Sequence, residues 1–190
     1  DAHILDNTMQ DMTNNLYNIN FAIAAPYSRE DAKIETFKDQ TIMEQDHIKG
    51  FAMLIDKKEM ENIGYFDENF FLYMEEIDLC KRARFNGKKI FLIKTEIHHK
   101  GGVSHGDKED FEMEKSRNWH WMWSKFYYNK KHYGYFKALI STFPIFLSSG
   151  FKFLFYSLVN NKKKQTIYLM RFKGLLNSYL ISDAFYRPYE

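Results

Sequence analysis

Three carboxylates stand close together in one stretch: Glu75, Glu76 and Asp78, directly after the aromatic run Phe70-Phe71-Leu72-Tyr73. A carboxylate set against a substrate hydroxyl takes its proton as the oxygen attacks, which is general-base chemistry. On a helix, Glu75 and Asp78 share a face and Glu76 points elsewhere. A plainer reading competes. Acidic residues in a first helical turn are favoured by the dipole, at roughly 0.3–1 kcal/mol each, and Phe70, Phe71, Tyr73, Ile77 and Leu79 would serve as core. Upstream, Gly64 and Asp67-Glu68-Asn69 read as a turn. There Asp67 either caps the backbone as an Asx-turn or offers an acceptor to a polar molecule. A second constellation is His98-His99 before Gly101-Gly102-Val103-Ser104. Its glycines let backbone N–H groups approach a phosphate, although a single histidine is more often structural than a ligand.

These residues need elements to position them. Ile4, Leu5, Met9, Met12 and Leu16 are spaced for an amphipathic helix starting near Asp6-Asn7. Phe21 to Ala25 reads as a buried strand stopped by Pro26, and 27–40 as a polar surface loop. Residues 41–56 read as strand, Gly50, strand, and 57–62 as a helical turn. The carboxylates open a helix over 75–86 that Gly87 ends. Lys88 to Lys94 is a strand, and 96–105 a loop. Such alternation predicts an α/β architecture with a mixed sheet. Beyond it come helices over 110–128, 136–159 and 166–181, with a domain boundary near residue 108.

The run Gly64-Tyr65-Phe66-Asp67-Glu68-Asn69-Phe70-Phe71-Leu72-Tyr73-Met74-Glu75-Glu76-Ile77-Asp78-Leu79-Cys80-Lys81-Arg82 resembles the acceptor-side motif of inverting family 2 glycosyltransferases, the rhamnosyltransferase-like group with a GT-A fold. One departure is chemical: the family's Glu-Asp pair is Glu75-Glu76 here. The resemblance implies a partial GT-A fold over 1–107, the acceptor-side half, followed by a helical, aromatic and basic tail over 108–190. It implies transfer of rhamnose or another hexose from a nucleotide-sugar donor to a polysaccharide or lipid-linked glycan. Glu76 occupies the family's base position, with Glu75 as rival and Asp78 one step on. Asp67, Phe71 and Tyr73 would line the acceptor site, and Gly50-Phe51-Ala52 resembles the family's glycine-containing strand beneath it. At Gly50 a bulge or close packing explains the glycine at least as well. Gly101, Gly102 and Ser104 match a His-x-Gly-Gly-x-Ser loop whose histidine, His99 with His98 as runner-up, contacts metal or diphosphate. Asp1 resembles the last aspartate of the family's metal motif, and Mg2+ or Mn2+ would suit such ligands. The first half of the family's domain has no counterpart, so a fragment is expected.

The composition sets bounds. At 190 residues the chain is long enough for a domain with a real core plus an appendage. Hydrophobic content of 45% and aromatic content of 18% argue against disorder. A net charge of +2 does not demand nucleic acid, and the central carboxylates would repel a phosphate backbone. The single cysteine, Cys80, excludes an internal disulfide framework and suits a reducing compartment. Phe136 to Val159 is long and apolar but carries two lysines, a proline and a glycine. Together with Lys162-Lys163-Lys164 it predicts a helix lying on or dipping into the inner face of the cell membrane, in preference to a true span or a core-packed helix, giving a peripheral, cytoplasmic location. The alternative function is a membrane-surface binding module without catalysis.

Overall fold

The computed structural model describes residues 2–28, 37, 40–99, 107–180 and 182–187. The chain divides into two compact units, one from Asp1–Asp67 with Glu75–Ser104, the other from Glu68–Met74 with His105–Glu190.

The first unit is a five-stranded mixed sheet with helices on both faces. Its elements are β1 (Ala2–Ile4), α1 (Thr8–Leu16), β2 (Ile23–Ser28), β3 (Ile42–Glu44), β4 (Leu54–Ile55), α2 (Lys57–Ile63), α3 (Glu75–Phe85) and β5 (Ile90–His99). The sheet runs β1-β5-β2-β4, and β3 also pairs with β5. β2 and β5 are parallel, and the other pairs are antiparallel. The two-residue period of a strand sends alternate side chains to opposite faces. Ile23 and Ala25 therefore pack with Met60 of α2 and Leu79, Cys80 and Ala83 of α3. Ala24 packs on the other face with Met12 and Leu16 of α1. Burial on both faces is why β2 reads as an unbroken apolar run.

α1 begins directly after Asn7, where the sequence places its start, and ahead of it Ala2–Ile4 forms a strand against β5. Three expectations change. β2 does not stop at Pro26 but runs to Ser28, because its pairing shifts register between Pro26 and Tyr27. Such an irregularity tolerates a residue without an N–H. β5 continues to His99, so 96–99 is strand where a loop was expected; pairing with β1 supplies the hydrogen bonds that extend it. Gly50 and Phe51 form a turn before β4 rather than part of a strand.

The second unit is helical: α4 (Asp107–Tyr133), α5 (Tyr135–Leu158) and α6 (Lys162–Tyr179). Gly134, at φ +87°, turns the chain between α4 and α5. Met122, Phe126, Ala138 and Leu175 form one core, and Trp119, Trp123 and Ala184 another. α6 meets α4 so closely at Gly174 that a Cβ there would lie 2.3 Å from the Trp119 carbonyl oxygen.

Candidate functional site

The carboxylate pair opens α3. Glu76 is half-buried, and its side chain lies against the Gly50 turn: a Cβ on Gly50 would meet Glu76 Cβ at 3.3 Å and Cγ at 3.6 Å. Burial pushes the Glu76 carboxyl up from its ordinary value. Its own N–H and that of Ile77 oppose the shift, and the neighbouring Glu75 charge adds to it. A base raised in this direction moves toward neutral pH, where general-base transfer is most effective. Glu75 is also half-buried, and its Oε2 is buried without a hydrogen-bond partner among the described residues. A buried carboxylate oxygen left unsatisfied costs about 1–3 kcal/mol or more, so Glu75 adds an unsatisfied acceptor next to Glu76.

Asp78 is placed differently. It is fully buried, and its Oδ2 accepts from Arg82 Nε at 2.8 Å. The same guanidinium donates to the carbonyls of Ile63, Gly64 and Tyr65 at 3.0, 2.8 and 2.6 Å. Asp78 therefore holds the arginine that fixes the turn leading into the motif. Asp67 sits half-buried after that turn.

Two cavities flank Phe51. One, of about 240 Å3, lies at the carboxyl end of β2 and is lined by Tyr27, Gln45, His47, Lys49 and Phe51 among others. In open α/β sheets ligands bind at the carboxyl ends of strands. The other, of about 260 Å3, is more apolar and is lined by Met9, Met12, Phe51 and Met53. Tyr27 donates to Glu96 Oε2 at 3.3 Å. Tyr27 on β2 and His47, Lys49 and Phe51 in the connection between β3 and β4 carry no joint spacing signature, since about twenty residues separate the strand from that connection and the fold brings them together.

The aromatic run Phe70–Tyr73 groups with the helical unit, whereas Glu75 and Glu76 belong to the sheet unit. Phe70 packs edge-on to Tyr127 at 4.9 Å, and Tyr73 edge-on to Trp121 at 5.2 Å. Phe71 is half exposed and carries the Arg187 guanidinium 3.7 Å over its ring. It also stands 4.7 Å from the imidazole of His120. Ser124 Oγ donates to the Leu72 carbonyl at 2.8 Å. Between the run and α3, Tyr73 and Met74 both take left-handed backbone, at φ +70° and +71°. Consecutive left-handed residues with side chains cost roughly 1–2 kcal/mol each, and such strain clusters at functional sites. Neither residue type announces it in the sequence.

His120 is fully buried, and its Nε2 bonds the Tyr186 carbonyl at 2.7 Å. Its Nδ1 has no partner among the described residues. Burial lowers its pKa from the ordinary value, the Tyr186 carbonyl opposes this and Arg187 adds to it.

Of the phosphate and metal candidates, Asp1, Gly101, Gly102 and Ser104 lie outside the described residues. His99 ends β5, with its backbone paired to Ala2; His98 pairs with His3. This register brings the N-terminal strand beside the histidine pair. Among the described residues, no three His, Cys, Asp or Glu side chains group as a metal site.

Over part of its length the chain is similar to a curated protein. That protein is the low-salt glycan biosynthesis hexosyltransferase Agl10 of Haloferax volcanii, 45% identical over 47 residues. The match covers 25% of this chain and 15% of that protein, so the chain spans a small part of its relative's length. No family profile matches the chain, and no solved structure matches it.

Proposed function

We propose that the chain is the acceptor-side part of an inverting glycosyltransferase of the family 2, GT-A type. The observation that carries the reading is Glu76: a half-buried carboxylate, raised in pKa, against the Gly50 turn whose neighbours line a cavity. The partial likeness to a hexosyltransferase supports the same reaction class.

In this reading the acceptor hydroxyl lies within reach of Glu76. Its oxygen forms a bond to the anomeric carbon of a nucleotide-activated hexose, rhamnose or a relative. The bond from that carbon to the diphosphate breaks, and the electron pair leaves on the phosphate oxygen. The hydroxyl proton passes to Glu76, and direct displacement inverts the anomeric centre. Glu75 is the neighbouring carboxylate and the rival base. Asp78 positions rather than reacts, through Arg82. The cavity beside Phe51 receives a sugar ring on its aromatic face, and the acceptor is a polysaccharide or lipid-linked glycan. Asp1 and His99 would hold a divalent cation, Mg2+ or Mn2+, which supplies charge neutralisation for a departing diphosphate.

The test is sugar transfer by the intact gene product, with a panel of nucleotide sugars and glycan acceptors and with Mg2+ or Mn2+ present. The reading expects one donor to be consumed and the product to have the inverted anomeric configuration by NMR. Retention of configuration, or no turnover of any donor by folded protein, would remove it.

A further inference from the structure

α5 presents two unlike faces. One carries small buried residues, Ala138, Thr142 and Ser149, and packs within the helical unit. The opposite face carries Phe136, Ile140, Phe143, Leu147, Phe151, Leu154 and Leu158, all exposed, with Phe136 78% and Leu158 87% accessible. Steps of three and four residues keep these seven side chains on one line about 33 Å long at 1.5 Å per residue. Monomeric soluble proteins rarely expose so long a continuous apolar stripe without a partner for it.

We infer that this stripe docks on an anionic lipid bilayer, with α5 lying in the plane of the interface. The partner follows from charge. α5 contains no acidic residue, and exposed Lys137 and Lys152 flank the stripe on one side. Lys162 and Lys164 open α6 just beyond it, with Lys164 held over the Tyr156 ring at 5.2 Å. Lys163 is engaged by Glu114 at 3.2 Å and contributes less. Basic residues beside an apolar face are what an anionic leaflet attracts. A second copy fits less well. The mean step of the stripe is about 3.7 residues, nearer the straight-helix 3.6 than the 3.5 of a left-handed coiled-coil seam. A crossing orientation fits less well too. The helix is long and apolar enough to span by composition, but its packed face is bound to α4 and α6, which carry many charges and would enter hydrocarbon with it. The inference stands independently of the transferase reading, since it uses none of the residues argued for that reaction.

The test uses the full chain and vesicles of phosphatidylcholine with and without phosphatidylglycerol. Sedimentation is expected to show binding to the anionic vesicles that weakens with salt. The triple variant Ile140→Asp, Leu147→Asp, Phe151→Asp should bind more than about tenfold more weakly. Its circular dichroism should be unchanged, because all three side chains are at least half exposed or nearly so. Orientation is read with spin labels on cysteines placed singly at 140, 147 and 154. The native Cys80 will not compete, being buried with its thiol pushed up to about 11. Equal shallow depths at the three positions support the in-plane helix; graded depths would overturn that orientation. Absence of vesicle binding would overturn the proposal. So would a wild-type dimer that the triple variant converts to monomer without any change in vesicle binding, which would assign the stripe to a second copy.

Discussion

Replacing Asp78 by alanine should damage the fold, whereas replacing Glu76 by glutamine should not. Asp78 is fully buried, and its carboxylate bonds a guanidinium that is itself 19% exposed. Removing one partner of a buried ion pair leaves the other uncompensated, at about 3–5 kcal/mol. Arg82 keeps three carbonyl acceptors in Ile63, Gly64 and Tyr65, so the lower end, about 3 kcal/mol, is expected. At roughly 2–4 °C per kcal/mol for a chain of this size, the melting temperature should fall by about 6–12 °C. Glu76 carries the opposite sign. Its folded pKa lies above the unfolded value, so the unfolded chain releases the proton first as pH rises. Stability is then lost on going from acid through the folded pKa, and the ionised carboxylate weakens the fold at neutral pH. Glu76→Gln removes that cost and should match or exceed the wild type at pH 7. The assay is thermal and urea unfolding of both variants by circular dichroism at pH 5 and pH 7. Loss of less than about 1 kcal/mol in Asp78→Ala, or a destabilised Glu76→Gln, would refute the division into a positioning and a reacting carboxylate.

Gly174→Ala should destabilise the helical unit by about 1–3 kcal/mol or more, because its Cβ would meet the Trp119 carbonyl oxygen at 2.3 Å; a melting curve unchanged from wild type would contradict the close approach. At Met74, φ +71° favours glycine, so Met74→Gly should be more stable than Met74→Ala by about 1 kcal/mol, read from urea midpoints. His120 has a folded pKa below its unfolded one. The unfolded chain therefore takes up the proton first as pH falls, and stability should drop on acidification from about 6.5, the ordinary imidazole value. His120→Gln should flatten that limb of the stability–pH curve.

The parts of the fold that were legible in the sequence are those set by local periodicity and punctuation. α3 was readable from its acidic first turn and from Gly87, which takes φ +70° after its last residue. α5 was readable as one long apolar run. Pairing partners were not. Ala2–Ile4 becomes a strand only because β5 lies beside it, and β5 reaches His99 for the same reason. Pro26 misleads as a terminator because a register shift absorbs its missing N–H. At the site, Glu75 and Glu76 stood out by type and spacing, but the burial that raises Glu76 depends on the Gly50 turn, more than twenty residues upstream. Asp78 looked like a third acid and is a buried partner of Arg82, an i,i+4 pair that spacing alone would have allowed. The left-handed backbone of Tyr73 and Met74 has no compositional trace, since neither is glycine or asparagine.

The most direct measurement of the central claim is the pH–rate profile of sugar transfer by the intact gene product, wild type beside Glu76→Gln and Glu75→Gln. The account predicts an acid limb set by a carboxylate above its ordinary range, and a loss of about 10²–10⁴ in kcat for Glu76→Gln that does not recover at high pH. Glu75→Gln should keep most activity and shift the limb slightly downward, because burial still raises Glu76 but the Glu75 charge that adds to the shift is gone. Full activity in Glu76→Gln, with collapse in Glu75→Gln, would place the base one residue earlier and contradict the account.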